Sequence, residues 1–282
     1  MTQDFTLEEL MACAVAAELR DGELGFIGIG TGGEAFILAV GIPAVASRLA
    51  QLTHAPNFIP MFGPIIDPAI DEAPASTTEY DLINWKSKSQ IHVADALDMW
   101  KRGKMDIGFI SGAQIDKYGN CNIVCIGDYH SPKVRLVGPL AQTDHAAHAR
   151  RMTVILMKHQ KRAFVEKVDF VSGVGFLDGS PDARARAGIK GGGPGIVVSN
   201  LAVMDFEPNT HRMRLRSVHP GVKVDEVVAN TGFELVVPKH VPQTDLPTPE
   251  QTSLIRRRID PQGLWLRARM SGQEATLAGR AQ

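Results

Sequence analysis

The chain has 282 residues and a formal net charge of −1, with acids and bases interspersed. That length suits one large α/β domain or two small ones with a sizeable core, and the charge balance excludes the basic face of a nucleic-acid binder and a polybasic membrane patch. The longest apolar run, about residues 35–45, is too short for a bilayer and is interrupted by Gly41 and Pro43. Cys13, Cys121 and Cys125 form an odd, sparse set, which points to free thiols in a reducing compartment. Cys121 and Cys125 have no second pair at zinc spacing, so no metal is expected. The polar, acidic residues 1–10 do not read as a signal peptide, and the expectation is a cytoplasmic protein.

The first element is a helix. Thr6 and Glu9 match a capping box, Leu7, Leu10, Met11, Ala14 and Val15 give one apolar face, and Gly22 supplies the stop. Residues 24–30 read as a buried strand running into glycines, and 42–53 as a second helix. Residues 58–67, FIPMFGPIID, read as a stiff apolar loop with no acid until Asp67. A helix over 93–103, ended by Gly103, leads into a strand over 105–111. The apolar runs 152–158 and 195–204 have the composition of strands covered on both faces. Thr248, Pro249 and Gln251 open a late helix. The pattern predicts a single α/β domain over 1–270: an open, mostly parallel or mixed sheet with helices on both faces. Residues 179–195 are expected as a long loop or crossover, and 271–282 as a frayed tail.

Gly28, Gly30 and Gly33 fit a dinucleotide-type GxGxxG, but no acid follows between residues 35 and 66 to hold a ribose. A tight strand-to-helix turn near a ligand is the plainer reading. Gly191–Gly195 lacks the residues of a phosphate loop and leads into a strand. Asp144 and His145 are either an acid–base unit or a solvated helix start, with His148 on the same face as His145. The run from Ser111 to Asn122 is the most informative. Gly112, Ala113, Gln114, Asn120 and Asn122 follow a strand end, where ligands of open α/β sheets sit. Uncharged amides there either polarise a carbonyl or only close a turn.

Six runs carry a resemblance to a known family: RLAQLTHAPN, ADALDMWKRGKMDIGFISGAQIDKYGN, IGDYHSPKVRLVG, MKHQKRAFVEKVDFV, KGGGPGIVVSN and HPGVKVDEVVANTGFEL. Together they resemble the β-type half of family I CoA-transferases, nearest the glutaconate CoA-transferase type, over most of Asp21 to about Pro261. The resemblance implies a CoA-transferase (NagB/RpiA-like) fold and an α-type partner subunit in a heterodimer or α2β2 assembly. It also implies an acyl-CoA site at the junction of the two chains and no activity in this chain alone. Coenzyme A enters as part of the substrate, with no cofactor bound permanently.

In that family a glutamate of this half attacks the thioester and carries the coenzyme as a glutamyl-CoA intermediate. Aligned on Ile66–Pro68, its place falls at Phe62, or by a shift of one at Met61 or Gly63. The nearest acids downstream are Asp67, Asp71 and Glu72. The family's oxyanion-binding glycine pair aligns with Leu140 and Ala141, while Asp144 is kept. The resemblance extends to two-subunit hydrolases of bacterial steroid-ring degradation, in which the α-type chain supplies the acid–base carboxylate. The leading expectation is therefore hydrolysis of a β-keto C–C bond or of the thioester. Gly112, Gln114, Asn120 and Asp144 are the catalytic candidates. Phe62, Gly63, Ala113, Asn122, Leu140, Ala141 and His145 are the expected substrate contacts. The alternatives are a CoA-transferase using a carboxylate of the partner or of Asp67, and a non-catalytic scaffolding subunit.

Overall fold

The computed structural model describes residues 4–28, 33–74 and 84–267. Gly30 of the glycine pattern and the expected tail at 271–282 lie outside the described residues. Helix α1 (Leu7–Ala16) is capped as its sequence dictates: the Glu9 amide donates to Thr6 Oγ1 at 3.2 Å, and the Thr6 amide to Glu9 Oε2 at 2.8 Å. Strand β1 (Leu24–Ile27) follows. A helical turn, Gly33–Phe36, then widens into a π-turn, Ile37–Gly41, and continues as α2 (Ile42–Leu52).

Residues 58–67 correct the loop expectation. They form a hairpin of β2 (Ile59–Phe62) and β3 (Ile65–Pro68), with Gly63 at φ 54° in the turn. Next come β4 (Ser87–Gln90), α3 (Val93–Lys101) and β5 (Ile107–Ser111), then the short pairs β6 (Gln114–Ile115) with β7 (Cys121–Asn122) and β8 (Cys125–Ile126) with β9 (Val134–Arg135). Helix α4 (Gln142–His148) precedes β10 (Arg151–Leu156). The run 195–204 is two antiparallel strands, β11 (Pro194–Ser199) and β12 (Ala202–Phe206), and not one. Strand β13 (Met213–Val218) closes that edge, and helices α5 (Val224–Asn230) and α6 (Pro249–Leu254) follow it.

Nine strands among the described residues form one sheet in the order β13-β12-β11-β10-β5-β1-β2-β3-β4. The central strands β11, β10, β5, β1 and β2 run parallel, and the strands at both edges are antiparallel. Alternation along each strand divides the core in two. Ile27, Phe62, Phe109 and Ile155 face α1 and α2, whereas Phe26, Met61, Ile110 and Val154 face α3 and α4.

The expected crossover at 179–195 holds one short helical turn, Ala183–Arg186. Its Arg184 is buried and donates to the carbonyls of Gly191, Gly175, Val174 and Ala146; burial pushes the guanidinium pKa down to about 10. The glycines before β11 serve close packing: a Cβ on Gly192 would stand 2.0 Å from the Arg150 carbonyl oxygen. The three cysteines are free and buried. No helix among the described residues is long and apolar enough to cross a membrane.

Candidate active site

The parallel strands point their carboxyl ends to one side, and the ends of β1, β2 and β5 are neighbours there. Ile27 pairs with Phe62, and the Gly63 amide donates to the Ile27 carbonyl at 3.2 Å. Phe62, the position that the resemblance aligns with the family's glutamate, is the last residue of β2. Its side chain is fully buried, which corrects the expectation that it lines the pocket. The ring meets Trp85 edge-on at 5.0 Å and Trp265 at 6.1 Å; Trp85 and Trp265 stack at 5.8 Å, and Phe36 stacks on Trp265 at 6.0 Å. Four rings from distant segments pack here, and Gly63 and Pro64 in the hairpin turn are half-buried.

Asp67 lies one residue beyond the Met61–Ile66 pair, toward the amino end of β2. Its carboxylate pairs with Lys88 at 2.5 Å and accepts from Gln51 Nε2 at 2.9 Å, while the same Gln51 nitrogen bonds the Phe58 carbonyl before β2. Asp67 is therefore bound away from Phe62.

The amides after β5 form a closed network. Asn122 spends both N–H groups, on Gln114 Oε1 at 2.7 Å and the Cys125 carbonyl at 2.6 Å. Asn120 spends both on the Asp116 carboxylate and the Leu177 carbonyl, and its oxygen accepts from Gly175 and Leu177. Gln114 donates to Asp169 Oδ2 at 3.1 Å and accepts from the Asp169 amide. Buried amides with satisfied donors hold shape. For Asn120 and Asn122 this corrects the expected direct action on a carbonyl, and Gln114 has one N–H without a partner among the described residues. Gly112 and Ala113 are half-buried, with the Ala113 amide bound to the Asn122 carbonyl at 2.9 Å.

The loop into α4 supplies free donors instead. Gly138 donates to the Ile123 carbonyl and Gln142 to the Pro139 carbonyl, but the amides of Leu140 and Ala141 have no partner among the described residues. Leu140 holds φ 41° and is 83% exposed. A leucine there keeps the left-handed backbone that glycine takes without strain. The loop is pinned by Gln142, whose Nε2 donates to the Ser111 carbonyl at 2.5 Å and whose Oε1 accepts from Ser172 Oγ at 2.7 Å. Sequence reasoning missed Gln142 and Ser172; the one available signal was a polar side chain in the first helical turn after the strand-end loop.

Asp144 is half-buried beside this loop. His145, expected at the surface or on substrate, is in the core of the opposite sheet face. Its ring packs edge-on to Phe26 at 4.1 Å and to Trp100 at 4.5 Å, and neither ring nitrogen makes a well-formed hydrogen bond among the described residues. Burial pushes its pKa down to about 3, so the ring is neutral and separated by the sheet from Phe62. Asp144 and His145 are thus not an acid–base pair. No group of three or more metal-ligating side chains occurs among the described residues.

A mixed α/β sheet with exposed amides and fixed loops beyond the carboxyl ends of its parallel strands has the form of the ligand-binding edge of an open α/β fold. Residues 8–230 match the family model for coenzyme A transferase, and the chain belongs to that family. It is 32% identical over 273 residues to a glutaconate CoA-transferase chain of Acidaminococcus fermentans, covering 92% of this chain and 94% of that one. It is 34% identical over 262 residues to the IpdB chain of the cholesterol ring-cleaving hydrolase of Mycobacterium tuberculosis, covering 92% and 96%. The crystal structure of the A. fermentans glutaconate coenzyme A-transferase superposes with a TM-score of 0.81 at 29% identity, covering 95% of this chain and 99% of that one.

Proposed function

We propose that this chain is the β-type half of a heteromeric acyl-CoA hydrolase, paired with an α-type subunit that supplies the general base. One observation carries the reading: at the carboxyl end of β2 the side chain is a fully buried phenylalanine ringed by Trp85 and Trp265. Asp67, the acid nearest to Phe62 in sequence, is held by Lys88 and Gln51, which supports a route with no acyl anhydride and no glutamyl-CoA thioester on this chain.

Water then attacks the carbonyl carbon while the partner's carboxylate takes its proton. The carbonyl oxygen gains the negative charge, which the amides of Leu140 and Ala141 receive. Collapse expels the thiolate or, for a β-keto substrate, the carbon leaving group as an enolate. Gln142, Asn120 and Asn122 keep the donor loop and its neighbours fixed, so little reorganisation accompanies the charge shift. Coenzyme A enters as part of the substrate and no resident cofactor is needed.

The test is made on the complex with its partner chain. An acyl-CoA panel is incubated in 18O-labelled water with and without an acceptor acid, and parallel samples are treated with hydroxylamine. The expected result is 18O in the released acid, no dependence on acceptor and no trapped glutamyl or aspartyl adduct. A trapped adduct on this chain, with acceptor-dependent turnover, would establish coenzyme transfer instead.

A further inference from the structure

The aromatic packing around Phe62 depends on a segment the sequence motifs do not mention. After α6 and a second π-turn, Ile255–Ile259, the chain wraps around the side chain of Asp260. The two carboxylate oxygens of Asp260 accept from the amides of Trp265 at 3.1 Å and Leu266 at 3.0 Å, and the Asp260 amide donates to the Ile255 carbonyl at 2.8 Å. This strap delivers Trp265 onto the helical stretch before α2. The contact is close: a Cβ on Gly41 would stand 2.0 Å from the Trp265 carbonyl oxygen. Only glycine allows the strap to lie there. Trp85, the next ring in the stack, is anchored by its own Nε1 donating to the Ala69 carbonyl at 2.9 Å.

From this geometry we infer that Trp265 is a positioning residue that locks the vacated nucleophile place shut. The loss of the nucleophile is thus fixed at two positions, 62 and 265, and not one. The inference rests on the reading of Phe62 given above. A carboxyl introduced at position 62 meets the indoles of Trp85 and Trp265, and the Trp85 N–H is already spent on the Ala69 carbonyl. Desolvation without a hydrogen bond or counter-charge favours the neutral acid, which cannot attack a thioester. Removing the Trp265 indole opens a void beside it, through which water can solvate the carboxylate.

Carboxyl titration tests this without any substrate. Phe62→Glu, with and without Trp265→Ala, is prepared with 13C-labelled glutamate, and the extra carboxyl resonance is followed against pH. In the single variant its midpoint is expected at least about 2 units above the ordinary glutamate value of about 4.3. The second substitution is expected to lower it by about 1 unit or more. A single variant that titrates within about half a unit of the ordinary value, or a midpoint that the second substitution leaves unmoved, overturns the lock. If Phe62→Glu does not fold, Trp265→Ala is heated with and without free indole. An apolar cavity of ring size binds such a ligand, so indole should raise the melting temperature of the variant by a few degrees and leave the parent unmoved. No selective rise overturns the inference. Adduct trapping in the unsubstituted complex sinks the hydrolase reading but leaves the titration intact, so the two failures are distinguishable.

Discussion

Gln142 Nε2 donates to the Ser111 carbonyl at 2.5 Å, joining the first turn of α4 to the last residue of β5. Its other amide atom takes the Ser172 hydroxyl, so one buried side chain fixes three segments around the free amides of Leu140 and Ala141. Gln142→Leu keeps the bulk and removes both bonds, leaving a buried carbonyl and a hydroxyl without these partners. The expected cost is about 2 kcal/mol, read as a lower urea midpoint at unchanged m-value. Displacement of the donor loop should lower kcat of the assembled complex by about 10- to 100-fold with little change in KM. An unchanged kcat in a destabilised variant would show that the loop does not act on the reacting carbonyl.

Leu140→Gly should stabilise the chain. A left-handed backbone costs a non-glycine residue about 1–2 kcal/mol, and glycine returns part of that gain by enlarging the unfolded ensemble, about 0.4–1 kcal/mol. The net expectation is about 0.5–1 kcal/mol of added stability, with turnover of the complex within about threefold of the parent because the amide is unchanged. Leu140→Val, β-branched at the same φ of 41°, should be destabilised. Urea unfolding of the pair measures the sign, and a loss of stability on substitution by glycine refutes the strain argument.

The frame is legible in the sequence where the signal is local. The capping boxes at Thr6–Glu9 and Thr248–Gln251 both form, and the strand at 105–111 and helix at 93–103 lie within two residues of their observed bounds. Residues 58–67 mislead because Pro60, Gly63 and Pro64 look like loop formers, whereas Pro60 sits within β2 and Gly63 makes a hairpin turn. Phe62 is the harder case. A phenylalanine in a strand reads the same whether it lines a pocket or packs inside; its partners Trp85 and Trp265, and Phe36 behind them, come from other segments and no periodicity links them. The asparagines fail for the opposite reason: their partners are backbone groups, Gln114 and Asp116, and such closures leave no trace in residue type.

Acid stability should depend on His145. Burial lowers its folded pKa to about 3 from an ordinary 6.5, so the unfolded chain binds the extra proton between those values. Stability is therefore fully present above about pH 6.5 and is lost as pH falls toward the folded value. His159, pushed down to about 4 by burial, adds to the same slope. His145→Phe keeps a ring against Phe26 and Trp100 and removes two ring nitrogens without a well-formed hydrogen bond among the described residues. Between about pH 4 and 6 the slope of unfolding free energy should fall by about 1.4 kcal/mol per pH unit, one proton's worth. Urea titrations at several pH values measure it, and an unchanged slope means the ring is already protonated or solvated in the fold.

Asp67 is the acid of this chain nearest in sequence to Phe62, and its geometry argues against service as a nucleophile. The carboxylate is tied to Lys88 and Gln51 at the amino end of β2, whereas the free amides of Leu140 and Ala141 belong with the carboxyl end of β5. Asp67→Asn keeps the side-chain shape, and asparagine tolerates the φ of 47° found there. The pair with the exposed Lys88 contributes little, so the expected loss of stability is about 1 kcal/mol or less. Turnover of the assembled complex should stay within about threefold of the parent, since no reacting group has been removed. A nucleophile behaves differently: its amide cannot form the thioester intermediate, and such a change typically costs several orders of magnitude in kcat. A fall of that size in Asp67→Asn, at preserved stability, would return covalent coenzyme transfer to this chain.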